Sequence, residues 1–432
     1  MARGDAEPRL ARLVARLTAQ TRVLVTGSEL VRGGRRDSNG PFLAEELTRL
    51  GLEPARITLV GDEPAELEEA IREGLAADLL VISGGVGPTH DDRTVELLAR
   101  AAGLEAPVDP ALEREIEEVS RRIAERFDRP YAEFEAGVRK QAIVPAGGRV
   151  IGIAGTAPGL VVETNGAVAV VLPGPPPELR RLWRAALEDE AVRRVVGRGE
   201  APERRVLRTY GVSESAVAQA LADVGGEPEG VQATICAHGG EIWAELFGPA
   251  EGLAAALRQA LGPAVFAEDD RAVEELVLDL AREQGLTVAA AESCTGGLVA
   301  ARLTSVPGAS DVFGGGIVAY ENEVKLAQLG VPAETLDAHG AVSSETAAAM
   351  ADGVRRSLGA DVGVAVTGIA GPGGGTPEKP VGLVHLHASG PGGEIARELR
   401  LPGDREAIRR RATAAALHLL RELLTQSRHT SA

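Results

Sequence analysis

Ser293 and Cys294 stand side by side in the run Glu292-Ser293-Cys294-Thr295-Gly296-Gly297. A hydroxyl and a thiol are both side-chain nucleophiles, and the glycines behind them let the backbone turn sharply. The preceding Leu286-Thr287-Val288-Ala289-Ala290 reads as a buried strand, and the following Leu298-Val299-Ala300-Ala301-Arg302-Leu303 as a helix. The nucleophile therefore sits at a strand-to-helix turn, where the first N–H groups of the helix can face an anion or a developing oxyanion. Neighbouring residues in an extended stretch point opposite ways, so only one of Ser293 and Cys294 should face a site. Histidine is one source of a base, and His339, His385, His387, His418 and His429 lie in this half. His385 and His387 alternate on a strand and read as structural. Lysine is another, because burial drops its pKa toward neutrality. Lys325 and Lys379 are the only lysines after residue 270, in a stretch otherwise rich in arginine. Arginine does not give up its proton, so a position that must act as a base would retain lysine. Ser293 with Lys325 is then one route to amide hydrolysis, with Ser310 as a candidate relay hydroxyl. Each residue also has a plain structural reading. Ser293 and Ser310 can be helix caps, Lys325 a solvated side chain, and the whole turn a packing turn around a core cysteine. No HExxH, CxxC or paired-histidine spacing occurs here, which argues against zinc.

Arg405 follows Asp404, a good N-cap, and so opens the last helix. A cation there opposes the helix dipole unless an anion such as phosphate binds at the same end. Arg409 lies one turn further on the same face. The alternative is an exposed arginine neutralised by Asp404.

A second constellation lies in the amino-terminal half. Gly84-Gly85-Val86-Gly87-Pro88-Thr89-His90-Asp91-Asp92-Arg93-Thr94 follows an apolar strand directly and opens a helix. Its glycines allow close approach of a phosphate, Thr89 and Thr94 offer hydroxyl donors, and Asp91 and Asp92 offer hard oxygen ligands for a magnesium-like ion or caps for the helix. Gly27-Ser28-Glu29-Leu30, Asp62 and the run from Leu172 through Gly174 to Glu178 would line the same sheet edge.

These residues need a scaffold. Val23-Leu24-Val25, Arg56 to Val60, Leu79 to Ser83 and Val168 to Leu172 read as strands between helices, one of them capped by Asn39 and another opened by Pro64. The alternation predicts an open α/β sheet with right-handed crossovers. Residues 181–268 read as a small α+β connector: a helix from Ser213 to Val224, a hairpin of Val231 to Ala237 with Glu241 to Phe247, and a helix from Leu253 to Leu261. Strands at Thr287 to Ala291, Ile317 to Tyr320, Val362 to Val366 and Leu383 to His387, and a final helix from Arg405 to Leu424, restore an α/β pattern. The predicted boundaries are an extension at 1–21, a first α/β domain at 22–180, the connector at 181–268 and a second α/β domain at 269–432.

Composition narrows the function classes. A chain of 432 residues needs two or three cores. A net charge of −17 disfavours a protein that coats nucleic acid, which needs a basic face. No run of about 18 uncharged apolar residues occurs, so no membrane span is expected. Two distant cysteines, Cys236 and Cys294, build no disulfide framework and fit a reducing cytoplasm. Residues 1–20 are too interrupted for a signal peptide and read as an added amphipathic helix or a loose tail.

Five further motifs complete the carboxy-terminal half: GGGIVAYENEVK at 314–325, HGAVSSE at 339–345, VTGIAGPGGG at 366–375, PEKPVG at 377–382 and PGDR at 402–405. With the turn at 292–297 they resemble the carboxy-terminal domain of the CinA family, whose members include nicotinamide mononucleotide (NMN) deamidases. The resemblance spans about residues 270 to 428. The amino-terminal half is similar to that family's other module, the molybdopterin-binding-like domain. It departs slightly at Ser28 and at Asp37-Ser38-Asn39, where the family has threonine and Asn-Thr-Asn.

The resemblance implies two α/β domains joined by a connector similar to a KH fold. It also implies a cytoplasmic enzyme that converts NMN to nicotinate mononucleotide and ammonia, needs no cofactor for that step, and forms a homodimer. In that reading Ser293, Lys325 and Ser310 are catalytic. Thr295, Gly296, Gly297, Tyr320, Asn322, Gly371, Arg405 and Arg409 bind the substrate, with Tyr320 and Asn322 at the nicotinamide ring and its carboxamide. The amino-terminal residues Gly27, Ser28, Glu29, Asp62, Gly84, Gly85, Gly87, Thr89, Asp91, Asp92, Thr94, Gly174 and Glu178 would hydrolyse the pyrophosphate of ADP-ribose, with a divalent cation at Asp91 and Asp92. The connector carries no basic GxxG loop, so RNA is not an expected partner. The alternative of a different class is a non-catalytic scaffold that binds a pterin or nucleotide in DNA uptake or damage responses.

Overall fold

The structure, a computed structural model, describes residues 19–430. The extension read at 1–21 therefore lies almost wholly outside the described residues. The chain forms two compact units, divided between Pro202 and Glu203.

The first unit is built on six strands: β1 (Thr21–Thr26), β2 (Arg56–Val60), β3 (Leu79–Ser83), β4 (Arg149–Ala154), β5 (Ala157–Glu163) and β6 (Val168–Leu172). Their order is β2-β1-β3-β6-β5-β4. The first four are parallel, while β5 and β4 are antiparallel additions. Every residue of β3 and β6 is buried, as uninterrupted apolar strands inside a parallel sheet should be. Alternate residues feed opposite faces. Val23, Val25, Leu79 and Val81 join one core with Leu43, Leu47 and Trp183, and Leu24, Leu80 and Ile82 join another with Leu67, Ile71 and Leu97.

The sheet is the open α/β sheet expected, extended by two strands that the sequence does not announce, because β4 and β5 contain Gly152, Pro158 and Gly159, residues that disguise a strand. The helix expected to be capped by Asn39 spans Asn39–Arg49, but Asp37 accepts from the N–H groups of Asn39 and Gly40. The Asn39 amide instead donates to Ser83 Oγ and to the Gly174 carbonyl, tying three loops together. Helices Pro176–Ala186 and Glu190–Val196 belong to this unit, since they bury Leu182, Trp183 and Val192 in its core. The unit therefore ends some twenty residues beyond the boundary expected at 180.

The second unit holds two sheets. Strands β7 (Arg204–Thr209), β8 (Gln232–His238), β9 (Glu241–Phe247) and β10 (Val265–Ala267) form an antiparallel sheet in the order β10-β7-β9-β8. Helices Glu214–Asp223 and Glu251–Leu261 cover one face, packing Val217, Leu253 and Leu257 on Leu207, Ile242, Ala244 and Leu246. Strands β11 (Val288–Glu292), β12 (Phe313–Val318), β13 (Val362–Gly368), β14 (Leu383–Gly390) and β15 (Gly393–Arg400) follow in the order β12-β11-β13-β14-β15. β12, β11 and β13 are parallel, and β14 and β15 form an antiparallel hairpin.

Helices Val273–Gln284 and Arg405–Thr430 pack on one face, where Ile408, Ala412, Ala416, Leu419, Leu420 and Leu423 are all buried. Helix Ser344–Leu358 packs on the other with Met350 and Val354. β12 begins earlier than the strand expected at Ile317. Its three glycines hide it, and one of them faces a close neighbour: a Cβ on Gly316 would come 3.1 Å from the Ala300 Cβ of helix Leu298–Thr304.

Candidate active site

β11 ends at Glu292, and the turn Ser293 to Gly297 carries the chain into helix Leu298–Thr304. Gly296 and Gly297 both have left-handed φ, +60° and +96°, which a side chain at either position would oppose. Glu292 is 1% exposed. Its carboxylate accepts from the N–H groups of Gly297, Val299 and Ala300, at 2.9, 3.1 and 2.8 Å. These helix N–H groups, expected from the sequence to be free for a ligand, are therefore occupied by the protein itself. The N–H groups of Cys294 and Thr295, which follow Ser293 in the turn, find no carbonyl or carboxylate acceptor among the described residues. Thr295 is fully buried, and its Oγ1 likewise has no partner among them.

Lys325 comes from helix Asn322–Leu329 and is 1% exposed, which excludes a solvated side chain. Its Nζ donates to the carbonyls of Ala319 at 2.9 Å and Tyr320 at 3.1 Å, and lies 3.4 Å from Ser293 Oγ. Burial pushes the lysine pKa below its ordinary value, while the charge of Glu321 pulls it back up. A neutral amine has two hydrogens and one lone pair, so the two carbonyls can take the hydrogens and leave the lone pair for the serine hydroxyl. Lys379 is elsewhere: its Nζ holds the carbonyls of His339 and Val342.

Cys294 points away from this group into the apolar core with Val299 and Leu303. Burial pushes its thiol up to about 11, which keeps it protonated. His385 and His387 are both buried on β14, and burial holds His385 below its usual pKa.

Ser310 is not brought to the pair. It is exposed in the short 3₁₀ turn Ala309–Asp311, before β12. Val288 pairs with Phe313 and Glu292 with Val318, so Ser310 and Ser293 lie at opposite ends of two parallel strands. A hydrogen-bond relay cannot cross that length within one chain.

The arginines lie near the turn, but their hydrogen bonds go to the protein. Arg409 Nε and Nη2 donate to the carbonyls of Cys294 and Thr295 at 3.1 and 2.8 Å, clamping the turn from the terminal helix. Arg405 Nη1 donates to the Gly371 carbonyl and its Nη2 to the Tyr320 hydroxyl, at 2.7 and 2.8 Å. Asp404 caps the same helix through the Ala407 N–H. Tyr320 and Asn322 are exposed beside Lys325. The sequence reading missed Glu292 as the clamp on the turn and the two carbonyls that seat Lys325. An acidic residue ending an apolar strand directly before the candidate nucleophile was the available signal for the first.

The amino-terminal residues gather at the carboxyl ends of β1, β3 and β6, where open α/β sheets bind ligands. A cavity of about 340 Å³ there is lined by Gly27, Glu29, Asp62, Gly84, Gly85, Gly87, Asp91, Asp92, Gly174 and Glu178, together with Gln141 and Thr156, which the sequence reading missed. Asp62 accepts from Thr26 Oγ1 and from the Ser28 N–H, so Ser28 orients the aspartate. Thr94 is fully buried with its hydroxyl donated to the Gly84 carbonyl, which removes it as a ligand donor. The Thr89 hydroxyl is taken by Asp91 and Asp92. That bond holds the Asp91 carboxyl below its ordinary pKa, while burial raises Glu178.

The lining carries carboxylates and no lysine or arginine among the described residues. No group of three or more His, Cys, Asp or Glu among them has metal-binding geometry. A divalent ion would fit here only if held by one or two carboxylates and a ligand's own phosphate oxygens, a manner of binding usual for magnesium.

Comparison with known proteins agrees with this architecture. Residues 22–192 match the probable molybdopterin binding domain and residues 270–424 the CinA C-terminal domain. A CinA-like protein of Mycolicibacterium paratuberculosis is 42% identical over 95% of this chain and 100% of its own length. A CinA-like protein of Mycobacterium tuberculosis is 43% identical over 95% and 98%. Among solved structures, the competence/damage inducible protein CihA from Agrobacterium tumefaciens is 46% identical, covering 35% of this chain and 94% of its own, with a TM-score of 0.34. The chain belongs to the CinA family.

Proposed function

We propose that this protein is a nicotinamide-nucleotide amidohydrolase that converts NMN to nicotinate mononucleotide and ammonia. The single observation that carries the reading is the buried, base-poised Lys325 amine within 3.4 Å of the Ser293 hydroxyl. Ser293 Oγ attacks the carboxamide carbon while its proton passes to Lys325 Nζ. The N–H groups of Cys294 and Thr295 stabilise the oxyanion. Collapse returns the proton from Lys325 to the leaving nitrogen, which departs as ammonia. Water, deprotonated by the same amine, then adds to the acyl carbon, the C–Oγ bond breaks, and Lys325 returns the proton to Ser293 Oγ. The substrate is taken from the resemblance to a family whose members include NMN deamidases, and membership of the CinA family supports it. The test is ammonia release from NMN by the purified chain in the presence of chelator, which a metal-free mechanism survives and a metal-dependent one does not.

We also infer a second activity in the first unit, hydrolysis of the pyrophosphate of ADP-ribose. Its support is the carboxylate-lined cavity, which would take a diphosphate only together with a divalent cation. Further parts of the reading are a homodimer in the cytoplasm. No helix among the described residues is long and apolar enough to cross a membrane.

A further inference from the structure

The second unit contains another cavity, of about 330 Å³, that the reading above leaves unused. It opens between the face of the β7–β10 sheet not covered by helices Glu214–Asp223 and Glu251–Leu261 and the helices Leu298–Thr304 and Arg405–Thr430. Arg208 and Trp243 are direct cross-strand partners on β7 and β9, so their side chains stand together on that face. The Arg208 guanidinium lies 4.0 Å from the Trp243 ring centroid, and His238 tilts against the same ring at 4.6 Å.

The charges around the cavity are unevenly matched. Glu274 pairs with Arg302, and Arg410 with Glu406. Glu241 is held by His418 Nε2 at 3.0 Å and by Trp243 Nε1 at 3.3 Å. Arg208 is 5% exposed, has no carboxylate partner among the described residues, and spends one donor on the Arg271 carbonyl at 2.9 Å. Its Nε has no partner at all among them. An uncompensated buried charge is costly, and a guanidinium with an unused edge is shaped to receive a carboxylate or phosphate.

We propose that this cavity is a binding site for a nucleoside monophosphate, with the phosphate paired to Arg208 and the base lying against the Trp243–His238 step. The size favours a mononucleotide over a dinucleotide. The aromatic step of Trp243 and His238 favours a base over inorganic phosphate alone. The site is separate from Ser293, so the proposal does not depend on the amidohydrolase reading.

Trp243 makes the test local. The other tryptophan, Trp183, lies in the core of the first unit, so Trp183→Phe leaves one reporter. Titrating that full-length variant with AMP should give a saturable change in tryptophan emission. Adenosine, which lacks the charge, should bind about tenfold or more weakly, and inorganic phosphate should compete with AMP. Adding Arg208→Met should abolish the response, while Arg208→Lys should keep part of it. No emission change with AMP up to about 10 mM, or equal affinities for adenosine and AMP, would overturn the proposal. Both of those outcomes are read without any change at Arg208, so they hold even if its variants fold poorly.

Discussion

Lys325 Nζ lies 3.4 Å from Ser293 Oγ, and the carbonyls of Ala319 and Tyr320 accept the two hydrogens that a neutral amine retains. Helix Asn322–Leu329 delivers the lysine, the turn after β11 delivers the serine, and burial shifts the lysine toward its neutral form.

That burial predicts a pH effect on stability. The unfolded lysine titrates at its ordinary value and the folded one lower, so between the two the unfolded chain binds more protons. The contribution of Lys325 to stability therefore rises with pH across that window and is lost below it. Thermal melts of the wild type and Lys325→Met across alkaline pH should diverge in favour of the wild type, by at most about 1.4 kcal/mol per pH unit. A constant difference between the two would show that the lysine titrates normally.

Glu292 holds the turn through three N–H groups, so Glu292→Gln, with one acceptor oxygen, should leave at least one buried donor unpaired. A stability loss of about 1–3 kcal/mol is expected by denaturant unfolding, together with a fall in kcat from misplacement of Ser293. A variant as stable and active as wild type would remove the clamp from the account.

Cys294 should be dispensable. Its thiol faces the core and is pushed up to about 11. Cys294→Ala should keep most of the turnover and cost about 1 kcal/mol of stability, and a thiol-alkylating reagent should leave native activity intact over minutes. Rapid inactivation of Cys294 by alkylation would reopen it as the nucleophile.

Much of this arrangement is legible in the sequence, for identifiable reasons. β3, β6 and β11 are short apolar runs bounded by turns, and the terminal helix repeats Ile408, Ala412, Ala416, Leu419 and Leu423 at helical spacing. Lys325 stands out because arginine fills most other cationic positions. What stays hidden depends on tertiary packing. β12 is masked by glycines that let a helix approach, and β5 by Pro158 and Gly159. Ser310 offers a hydroxyl in the sequence, yet strand register alone decides which end of the sheet it occupies. The helix N–H groups look free in sequence because Glu292, lying before the turn, gives no sign that it reaches over it.

In the first unit, Asp91→Asn with Asp92→Asn should abolish or sharply weaken divalent-dependent hydrolysis of ADP-ribose, while leaving ammonia release from NMN unchanged. Release of AMP and ribose phosphate from ADP-ribose, followed at varied magnesium, checks this. Unchanged hydrolysis in the double variant would reduce both residues to partners of the Thr89 loop.

The proposed mechanism makes Lys325 the base for Ser293. Lys325→Arg keeps a basic side chain of approximately the same length but does not accept a proton. Steady-state ammonia release from NMN by Lys325→Arg, Ser293→Ala and the double variant tests the pair most directly. A base–nucleophile pair predicts a loss in kcat of about 10² or more for each single variant. It also predicts a double variant scarcely worse than either, since residues that act as one unit are not additive. A Lys325→Arg protein that keeps most of its turnover and changes only KM would contradict it.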